Sequence, residues 1–494
     1  MHAALELPEL RDLIGRYLST QDLVHCMGTC HAWLHTFEPL LWSGLKLYDS
    51  RSYASADALQ SHAPLISSLS FTGRFPDEYF EVKCSNLQSF SYCGSTMVQS
   101  RIGLLTKFIR AHKESLGSMD ILLYGHTPEE FLWDAIAHCS RLESLALRFA
   151  EVLKQDSVVF WTSLQNLVSL TLTDALVPYD GVFFNESLKT PSLSPILRKL
   201  KHVYFARLRG LRSEDQMQLL EKCPNLLSIY WRGIGFSIRF AMERFTQYLQ
   251  TGKWPGLVSL DVTGDEVLDE LLAKMLQSKA NSGVRKPQSL MLTKTGFGSK
   301  SFAAIQEEGT LVQSIQTLDL HACFSVSSKM LQKMLETMPN LKHLSADRIC
   351  EKDIVMGSNW ICHGLEHLEI LIDLNDDNRC LSLVARQERM YDRLALLTRL
   401  KVLGVTRYAA GSASSDSATK MTHLLENGLG RLATLKRLRS FKFSPGHQWM
   451  SEDEILWMIK HWPQLESVSS GLTQDFGLGF SLIRQLDQHG IKTL

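Results

Sequence analysis

The stretch LWDAIAHCSRLESLAL (residues 132–147) combines two kinds of hydrophobic spacing. Leu132, Ala135, Ile136 and Cys139 have the i, i+3, i+4, i+7 spacing of one helical face. Leu142, Leu145 and Leu147 then form the pattern apolar-x-x-apolar-x-apolar. This pattern ends in the alternation of a half-buried strand. The stretch therefore predicts an amphipathic helix followed directly by a β-strand.

The same strand pattern recurs along most of the chain. Its first positions are residues 65, 87, 116, 142, 167, 200, 226, 257, 287, 315, 341, 365, 400, 438, 465 and 491. The mean period is about 28 residues, within the range of leucine-rich repeats. We therefore expect an α/β fold, a leucine-rich-repeat solenoid with a curved parallel sheet and helices on its convex side. The alternative is an ordinary α/β domain, which predicts irregular spacing of the strands.

Smaller signals fit the repeats. Ser213 with Gln216, and Ser451 with Glu454, have the spacing of capping boxes at helix starts. The segment Tyr408–Ala418 predicts a flexible inserted loop, because it is rich in Ser, Ala and Gly. A helix around residues 480–486 is expected to close the last repeat, with Ile491 and Leu494 packed on the last strand.

Composition limits the possible classes of protein. The chain has 494 residues, 45% hydrophobic content, and 52 basic against 52 acidic residues. Wholesale disorder is excluded, and the zero net charge argues against a non-specific nucleic-acid binder. No apolar run reaches the length of a membrane span. The ten cysteines are scattered without a C-x-x-C pair, which indicates buried thiols in a reducing compartment, the cytoplasm or the nucleus.

The first 46 residues have a different pattern. Helical spacing, Pro8 in a first turn and breaks near Ser19 and Pro39 predict three short helices. So small a module cannot bury all its apolar residues alone, so we expect a protein partner. The residues that carry a family resemblance are Leu7-Pro8-Glu9-Leu10, Ile14, Leu18, Asp22-Leu23, Cys26, Cys30, Trp33, Pro39 and Leu41-Trp42.

This segment resembles an F-box, and its combination with repeats resembles the F-box/leucine-rich-repeat family, often seen in fungal sequences. The resemblance divides the chain into an F-box (1–46), a linker (47–62) and a repeat domain (63–494). It implies that the F-box docks on a Skp-type adaptor, which joins a cullin scaffold, while the repeats hold a protein substrate for ubiquitination. The adaptor-binding residues it implies are Leu7, Pro8, Leu10, Ile14, Leu18, Leu23 and Trp33, with Leu7 and Pro8 as direct contacts.

The strand residues that flank the leucines are expected on the concave face of the sheet, because side chains alternate along a strand. Substrate-binding candidates there are Tyr230, Arg232, Asp261, Asp319, Asp347 and Glu369. Tyr and Arg are typical of binding hot spots. The acidic residues predict a site for a basic segment of substrate, although a solvated face with unrelated charges is an alternative.

No catalytic, metal or cofactor site is expected. The string Cys26–His31 is spaced unlike a haem site, and His363-x-x-Glu366-His367 falls on a predicted strand rather than the helix that a zinc site needs. The stretch Gly296–Ser301 lacks the register of a phosphate-binding loop. We therefore expect a non-catalytic substrate receptor of a ubiquitin ligase. An F-box scaffold outside any ligase is the alternative, and a hydrolase has no nucleophile constellation to support it.

Overall fold

The computed structural model describes residues 6–48, 54–73, 75–94, 99–124, 130–179, 197–232, 238–264, 267–281, 286–307, 309–374, 382–405, 421–443 and 448–494. Two compact units are present. The first comprises the described residues up to Leu226, and the second comprises Leu227–Arg232 with Ile238–Leu494. In these ranges, no helix combines the length and hydropathy that crossing a bilayer requires. The predicted loop Tyr408–Ala418 lies outside the described residues.

The described part of the first unit contains seven parallel strands that pair in chain order. They are β1 (Gly44–Leu47), β2 (Ser68–Thr72), β3 (Ser89–Cys93), β4 (Ser118–Leu122), β5 (Ser144–Arg148), β6 (Ser169–Thr173) and β7 (His202–Ala206). From β2 to β7, the second and fourth residues of each strand stack into two rows that are at most 2% exposed. Leu145 and Leu147 of the decisive stretch lie in these rows.

Helices connect these strands and form the N-terminus. The N-terminal helical module consists of α1 (Pro8–Gly15), α2 (Thr20–Met27) and α3 (His31–Ser43). The later helices of the first unit are α4 (Ala56–Ser61), α5 (Gln99–Ala111), α6 (Glu130–Ala137), α7 (Ser157–Ser163) and α8 (Ser213–Glu221). Short 3-10 turns span Ala63–Leu65, Asp77–Glu81, Lys154–Asp156 and Leu164–Asn166.

The second unit repeats the same architecture, again with parallel strands paired in chain order. Its strands are β8 (Ser228–Arg232), β9 (Ser259–Thr263), β10 (Ser289–Met291), β11 (Thr317–Asp319), β12 (His343–Cys350), β13 (His367–Asp373), β14 (Val402–Val405), β15 (Ser440–Phe443), β16 (Ser467–Val468) and β17 (Lys492–Thr493). Its helices are α9 (Ile238–Gln250), α10 (Asp269–Asn281), α11 (Ser299–Glu307), α12 (Thr310–Ser314), α13 (Ser328–Thr337), α14 (Glu351–Met356), α15 (Leu383–Ala395), α16 (Glu452–His461) and α17 (Phe476–Gln488). Two 3-10 turns span Leu425–Asn427 and Leu429–Thr434. Each unit is thus an α/β solenoid of the leucine-rich-repeat type, which confirms the predicted fold class.

A left-handed residue follows many of the strands and turns the chain out of the sheet. It lies five residues after the first strand residue, at Gly73, Phe149, Asp174, Arg207, Lys294 and Ala322, with φ between 51° and 84°. Only one of these six is glycine, so no glycine pattern in the sequence indicated the turn. Positive φ is uncommon for other residues, and the flanking sheet and helix must hold it in place.

In one repeat of the second unit, 3-10 turns take the place of an α-helix, and buried amide side chains hold the chain there. Gln387 of α15 accepts a hydrogen bond from Thr422 N (3.1 Å) and donates one to Thr422 O (2.5 Å). Gln448 accepts one from His423 N (2.8 Å) and donates one to Met421 O (3.0 Å). These two side chains satisfy backbone groups that a regular helix would pair internally.

Of the two predicted capping boxes, one is present and one is displaced. Ser451 N and Oγ donate to the Glu454 carboxylate at 2.8 and 2.6 Å, as predicted. The box at Ser213 was wrong by one residue. The helix begins at Ser213, so its N-cap is Arg212, whose backbone N–H donates to the Asp215 carboxylate at 2.9 Å.

The boundaries differ in detail from the sequence division. The boundary expected at residue 46 falls inside β1, which pairs with β2, and the segment expected as a linker contains α4 with Leu59 buried. At the other end, α17 and Ile491 pack as predicted, but Leu494 is 60% exposed. Leu494 extends the sheet through its backbone N–H to Val468 O (2.9 Å), and its side chain leaves the core.

Candidate functional site

The first helix turns an apolar stripe toward solvent. The i, i+3, i+4, i+7 set Leu10, Leu13, Ile14 and Tyr17 is between 38% and 85% exposed. Leu7, which precedes the helix, is also about half exposed, at 52%. An amphipathic helix of a free-standing bundle would turn this stripe toward the core. The stripe therefore does not belong to the core of this chain.

The opposite side of α1 contains two buried residues, Gly15, which packs on α3, and Arg11. A Cβ added to Gly15 would lie 2.5 Å from Leu40 Cδ1 and 2.8 Å from Phe37 Cε1, so only glycine fits without rearrangement. Arg11 is 8% exposed, its Nε is buried without a hydrogen bond, and it has no ion-pair partner among the described residues. In a helical bundle that is stable alone, leucines are usually buried and arginines exposed, whereas this helix buries Arg11 and exposes its leucines.

The structure sorts the seven predicted adaptor contacts into three groups. Leu7, Pro8, Leu10 and Ile14 are exposed. Leu18 and Trp33 are half-buried, and Leu23 is buried at 7% exposure, so Leu23 supports the fold of the module rather than offering a contact surface. Three large apolar residues of the module are also exposed but were not predicted as contacts: Leu13, Tyr17 and Val24. The i, i+3, i+4, i+7 spacing with Leu10 and Ile14 could have indicated Leu13 and Tyr17 as part of the same exposed stripe.

The cysteines of the module and of the repeats differ in exposure. Cys84, Cys139, Cys223, Cys323 and Cys362 are buried free thiols, and burial raises the pKa of Cys84 and Cys362 to about 11. Cys26 is half-buried and Cys30 is exposed, so the expectation that the cysteines are buried thiols is wrong for Cys30.

The second candidate region is the open face of the second sheet, defined as the side of β8–β15 that carries the residues between the buried rows. The register aligns its middle row as Tyr230, Asp261, Met291, Asp319, Ser345, Glu369, Gly404 and Lys442. Arg232 lies at the end of β8, and Asp347 lies in a bulge of β12 between Ala346 and Arg348. All six predicted substrate residues thus lie on or beside one sheet, in β8–β13.

Two of the predicted acidic residues are already neutralised within the chain. Asp261 is 2% exposed and lies 3.1 Å from Arg232 Nη2, while the Arg232 guanidinium stacks 4.3 Å from the Tyr230 ring. Burial raises the pKa of the Asp261 carboxyl to about 6, against the opposing effect of Arg232. The expectation that Asp261 offers a free charge to a substrate is therefore wrong.

The charge of Glu369 on β13 is paired with a lysine on β15, two strands away. Its carboxylate lies 2.5 Å from Lys442 Nζ, although β14 runs between the two residues. Gly404 makes this possible, because a Cβ there would lie 2.7 Å from Glu369 Cγ. The neighbouring His367 imidazole, 3.5 Å away, and the Lys442 ammonium lower the pKa of Glu369 to about 2, although burial opposes this.

Asp319 and Asp347 remain without a cationic partner of the lysine or arginine type among the described residues. Asp319 Oδ1 accepts a hydrogen bond from His321 N at 2.9 Å. Asp347 Oδ1 accepts one from Ala322 N at 2.9 Å and lies 3.3 Å from His321 Nδ1. Of the four acidic residues predicted to bind substrate, these two therefore pair with no lysine or arginine in the part of the chain that the structure describes.

The glycine-containing loop Gly296–Ser301 does lead into the N-terminus of a helix, α11, but the anion there belongs to the protein. The carboxylate of Asp269, from the preceding repeat, accepts hydrogen bonds from Gly298 N (2.9 Å), Lys300 N (2.9 Å) and Ser301 N (2.8 Å). An anion is favoured where free N–H groups and the helix dipole converge. Asp269 occupies the position that a phosphate would need.

The histidine motif around His363 has no zinc geometry. His367 lies on β13, and Glu366 pairs with Lys401 at 2.6 Å. In the part of the chain that the structure describes, no three His, Cys, Asp or Glu side chains converge to hold a metal.

Comparison with known proteins adds little. No protein-family model matches the chain, and no curated protein matches it. A chain of the yeast Rad7–Elc1 complex is similar over 84% of this chain and 83% of its own length, with 14% identity and a TM-score of 0.43. The internalin InlF of Listeria monocytogenes is similar over 92% of this chain and 88% of its own length, with 12% identity and a TM-score of 0.28. At this level of likeness, neither protein informs on what this chain binds.

Proposed function

We propose that this protein is the substrate-recognition subunit of an SCF-type (Skp–cullin–F-box) ubiquitin ligase. The N-terminal helical module is the F-box that docks on a Skp-type adaptor, and through it on a cullin scaffold. The repeats bind the protein substrate. The chain takes part in ubiquitination as a non-catalytic receptor.

The outward-facing stripe of α1 carries this proposal. Leu10, Leu13, Ile14 and Tyr17 are exposed while Arg11 is buried, which supports a protein partner that covers the stripe. Covering the exposed fraction of these side chains would contribute on the order of 4 kcal/mol. The F-box resemblance of residues 7–42 indicates an adaptor of the Skp type as that partner.

The repeats supply what a receptor needs beyond the adaptor contact. On β8 the residues between the buried rows of the sheet include the Tyr230–Arg232 pair. Tyrosine and arginine dominate binding hot spots. A protein substrate on this face would lie on a rigid array of paired strands.

The adaptor contact is tested with the full-length chain and a recombinant Skp-type adaptor. The double substitution Leu7→Ala with Pro8→Ala should weaken adaptor binding at least tenfold, because both side chains are exposed beside the stripe. The matched control is Leu396→Ala with Leu456→Ala, two leucines outside the module that are each 49% exposed. Undiminished retention of the adaptor by the Leu7/Pro8 variant would overturn the assignment of the module.

The proposed membership in a ubiquitin ligase is tested separately, by adding a cullin scaffold to the complex of this chain and the adaptor. Co-elution of the three proteins supports a receptor of a ubiquitin ligase. Binding of the adaptor without the cullin would instead favour the scaffold that acts outside a ligase.

A further inference from the structure

Two arginines in the described part of the chain are buried, and they differ in whether a carboxylate pairs with them. Arg386 of α15 is 7% exposed, and its guanidinium lies 2.8 Å from the Glu351 carboxylate. Arg11 of α1 is 8% exposed, its Nε is buried without a hydrogen bond, and it forms no ion pair with a described residue. A buried charge is costly unless it is paired. Arg11 therefore lacks the counter-ion that its burial requires.

Arg11 borders the surface that the proposed adaptor would cover. With 3.6 residues per turn, Arg11 lies about 60° around the helix from Ile14 and about 40° from Gly15. Ile14 is 41% exposed, whereas Gly15 is buried against α3. Leu7, one turn before Arg11, is 52% exposed and accepts the hydrogen bond from Arg11 N through its carbonyl at 3.2 Å. A protein that covers Leu7 and Ile14 would therefore also reach the edge of α1 at which Arg11 lies.

The neighbouring charges of α1 do not neutralise Arg11. Asp12 pairs with Arg16 at 2.8 Å. Glu9 and Asp12 are two residues before and one residue after Arg11, and helical residues at these spacings do not face each other. A second buried donor of the module, Nε1 of Trp33, makes no hydrogen bond to the described residues either. The module thus contains two buried N–H donors that lack acceptors, and one of them is charged.

We propose that the Skp-type adaptor places an aspartate or glutamate carboxylate against the Arg11 guanidinium when it covers the stripe of α1. A guanidinium carries N–H donors in a planar fork and no acceptor, which matches a carboxylate. The contact would give specificity, because a partner with an equally apolar surface but no acid there would leave Arg11 buried and unpaired. This inference rests on the proposed function, in which an adaptor covers α1.

The substitution Arg11→Met separates folding from binding, because methionine keeps an unbranched apolar side chain and removes the charge. In the free full-length chain, hydrogen exchange of residues 9–15 should slow by about threefold or more, since a buried charge without a partner is lost. The matched control is Arg386→Met. It should accelerate exchange of residues 383–395, because Glu351 then remains buried without its partner.

Adaptor binding should change in the opposite direction. Calorimetric titration of the full-length chain with a recombinant Skp-type adaptor should show that Arg11→Met binds about tenfold more weakly or worse. Arg11→Lys should recover only part of the affinity, because lysine keeps the charge but lacks the planar fork. The control on the same helix is Arg16→Met, which removes an exposed arginine that already pairs with Asp12 and should change affinity less than about twofold.

The acidic residue of the adaptor is identified by a double-mutant cycle. Each Asp and Glu of the adaptor is changed in turn to Asn or Gln, and each variant is titrated with the wild-type chain and with Arg11→Met. One adaptor variant should weaken binding of the wild type by about the same factor as Arg11→Met does, and should cause no further loss when combined with it.

The inference is overturned if Arg11→Met binds the adaptor within twofold of the wild type, if it accelerates exchange of α1 in the free chain, or if no acidic residue of the adaptor couples to Arg11. In each of these cases, adaptor binding by the wild type leaves the proposed function standing. A wild-type chain that does not bind the adaptor would overturn the proposed function, and this inference with it.

Discussion

Asp269 offers the sharpest test of how one repeat stabilises the next. Its carboxylate accepts hydrogen bonds from Gly298 N, Lys300 N and Ser301 N at 2.8–2.9 Å, and from Ser301 Oγ at 2.5 Å. Asp269→Ala would leave these donors at the start of α11 without an acceptor. Losing a helix N-cap costs about 1 kcal/mol, and charged hydrogen bonds are stronger than neutral ones, so we expect about 2–3 kcal/mol.

The measurement is made locally because a long repeat array need not unfold in one step. Hydrogen exchange of residues 298–307 should accelerate by about 30- to 150-fold in Asp269→Ala, the rate equivalent of this free energy. Sulfate should partly reverse the effect, because it can occupy the vacated anion position at the helix N-terminus. The control is Glu270→Ala, an exposed neighbour that pairs with Lys274 and Lys300.

The pH dependence follows from the same contacts. Burial alone would raise the pKa of Asp269, but the hydrogen bonds from residues 298–301 outweigh it and lower the pKa. A depressed folded-state pKa gives stability that is present above the unfolded value near 4 and is lost as the pH falls through the folded value. Protection of α11 should therefore fall on acidification in the wild type and not in Asp269→Ala. Equal exchange in the Asp269 and Glu270 variants would refute the capping role.

Three further predictions concern the second unit. Gly404→Ala should displace Glu369 from Lys442 and lower the stability by about 1 kcal/mol, whereas Gly364→Ala, which meets no neighbouring atom, should have a smaller effect in the same urea titration. Because its folded-state pKa is about 2, Glu369 stabilises the fold above about pH 4, and this contribution should disappear between pH 4 and pH 2 in an acid titration that compares wild type with Glu369→Gln. Gln387→Leu should cost about 2–4 kcal/mol, because it leaves buried backbone groups of the 3-10 segment unpaired, and thermal unfolding with Gln387→Glu as a second variant would show whether the amide donor matters.

The repeat itself was predictable because its signal is local and redundant. Each strand pattern, such as Leu142/Leu145/Leu147, specifies a buried face through side-chain alternation, and in-register stacking of parallel strands follows when that pattern recurs. The helix boundaries were less certain. At Ser213 two nearby acidic or amide residues could serve as the third residue of the box, and the geometry selected Asp215. Left-handed residues such as Phe149 and Arg207 were not predictable, since their side chains disfavour that conformation and only the surrounding sheet imposes it.

The sequence by itself determined which residues share a face, because the periods of helix and strand are properties of the backbone. It placed Leu10 and Ile14 on one stripe, and Asp319 and Glu369 in one row. Only the tertiary structure decided which way each face turns and which charges meet. Whether the stripe of α1 faces the core depends on the close packing of Gly15 against α3, and whether Glu369 is free depends on Lys442, which lies 73 residues away. Such contacts join distant segments, and their energies depend on distance and burial, which no local period of the sequence encodes.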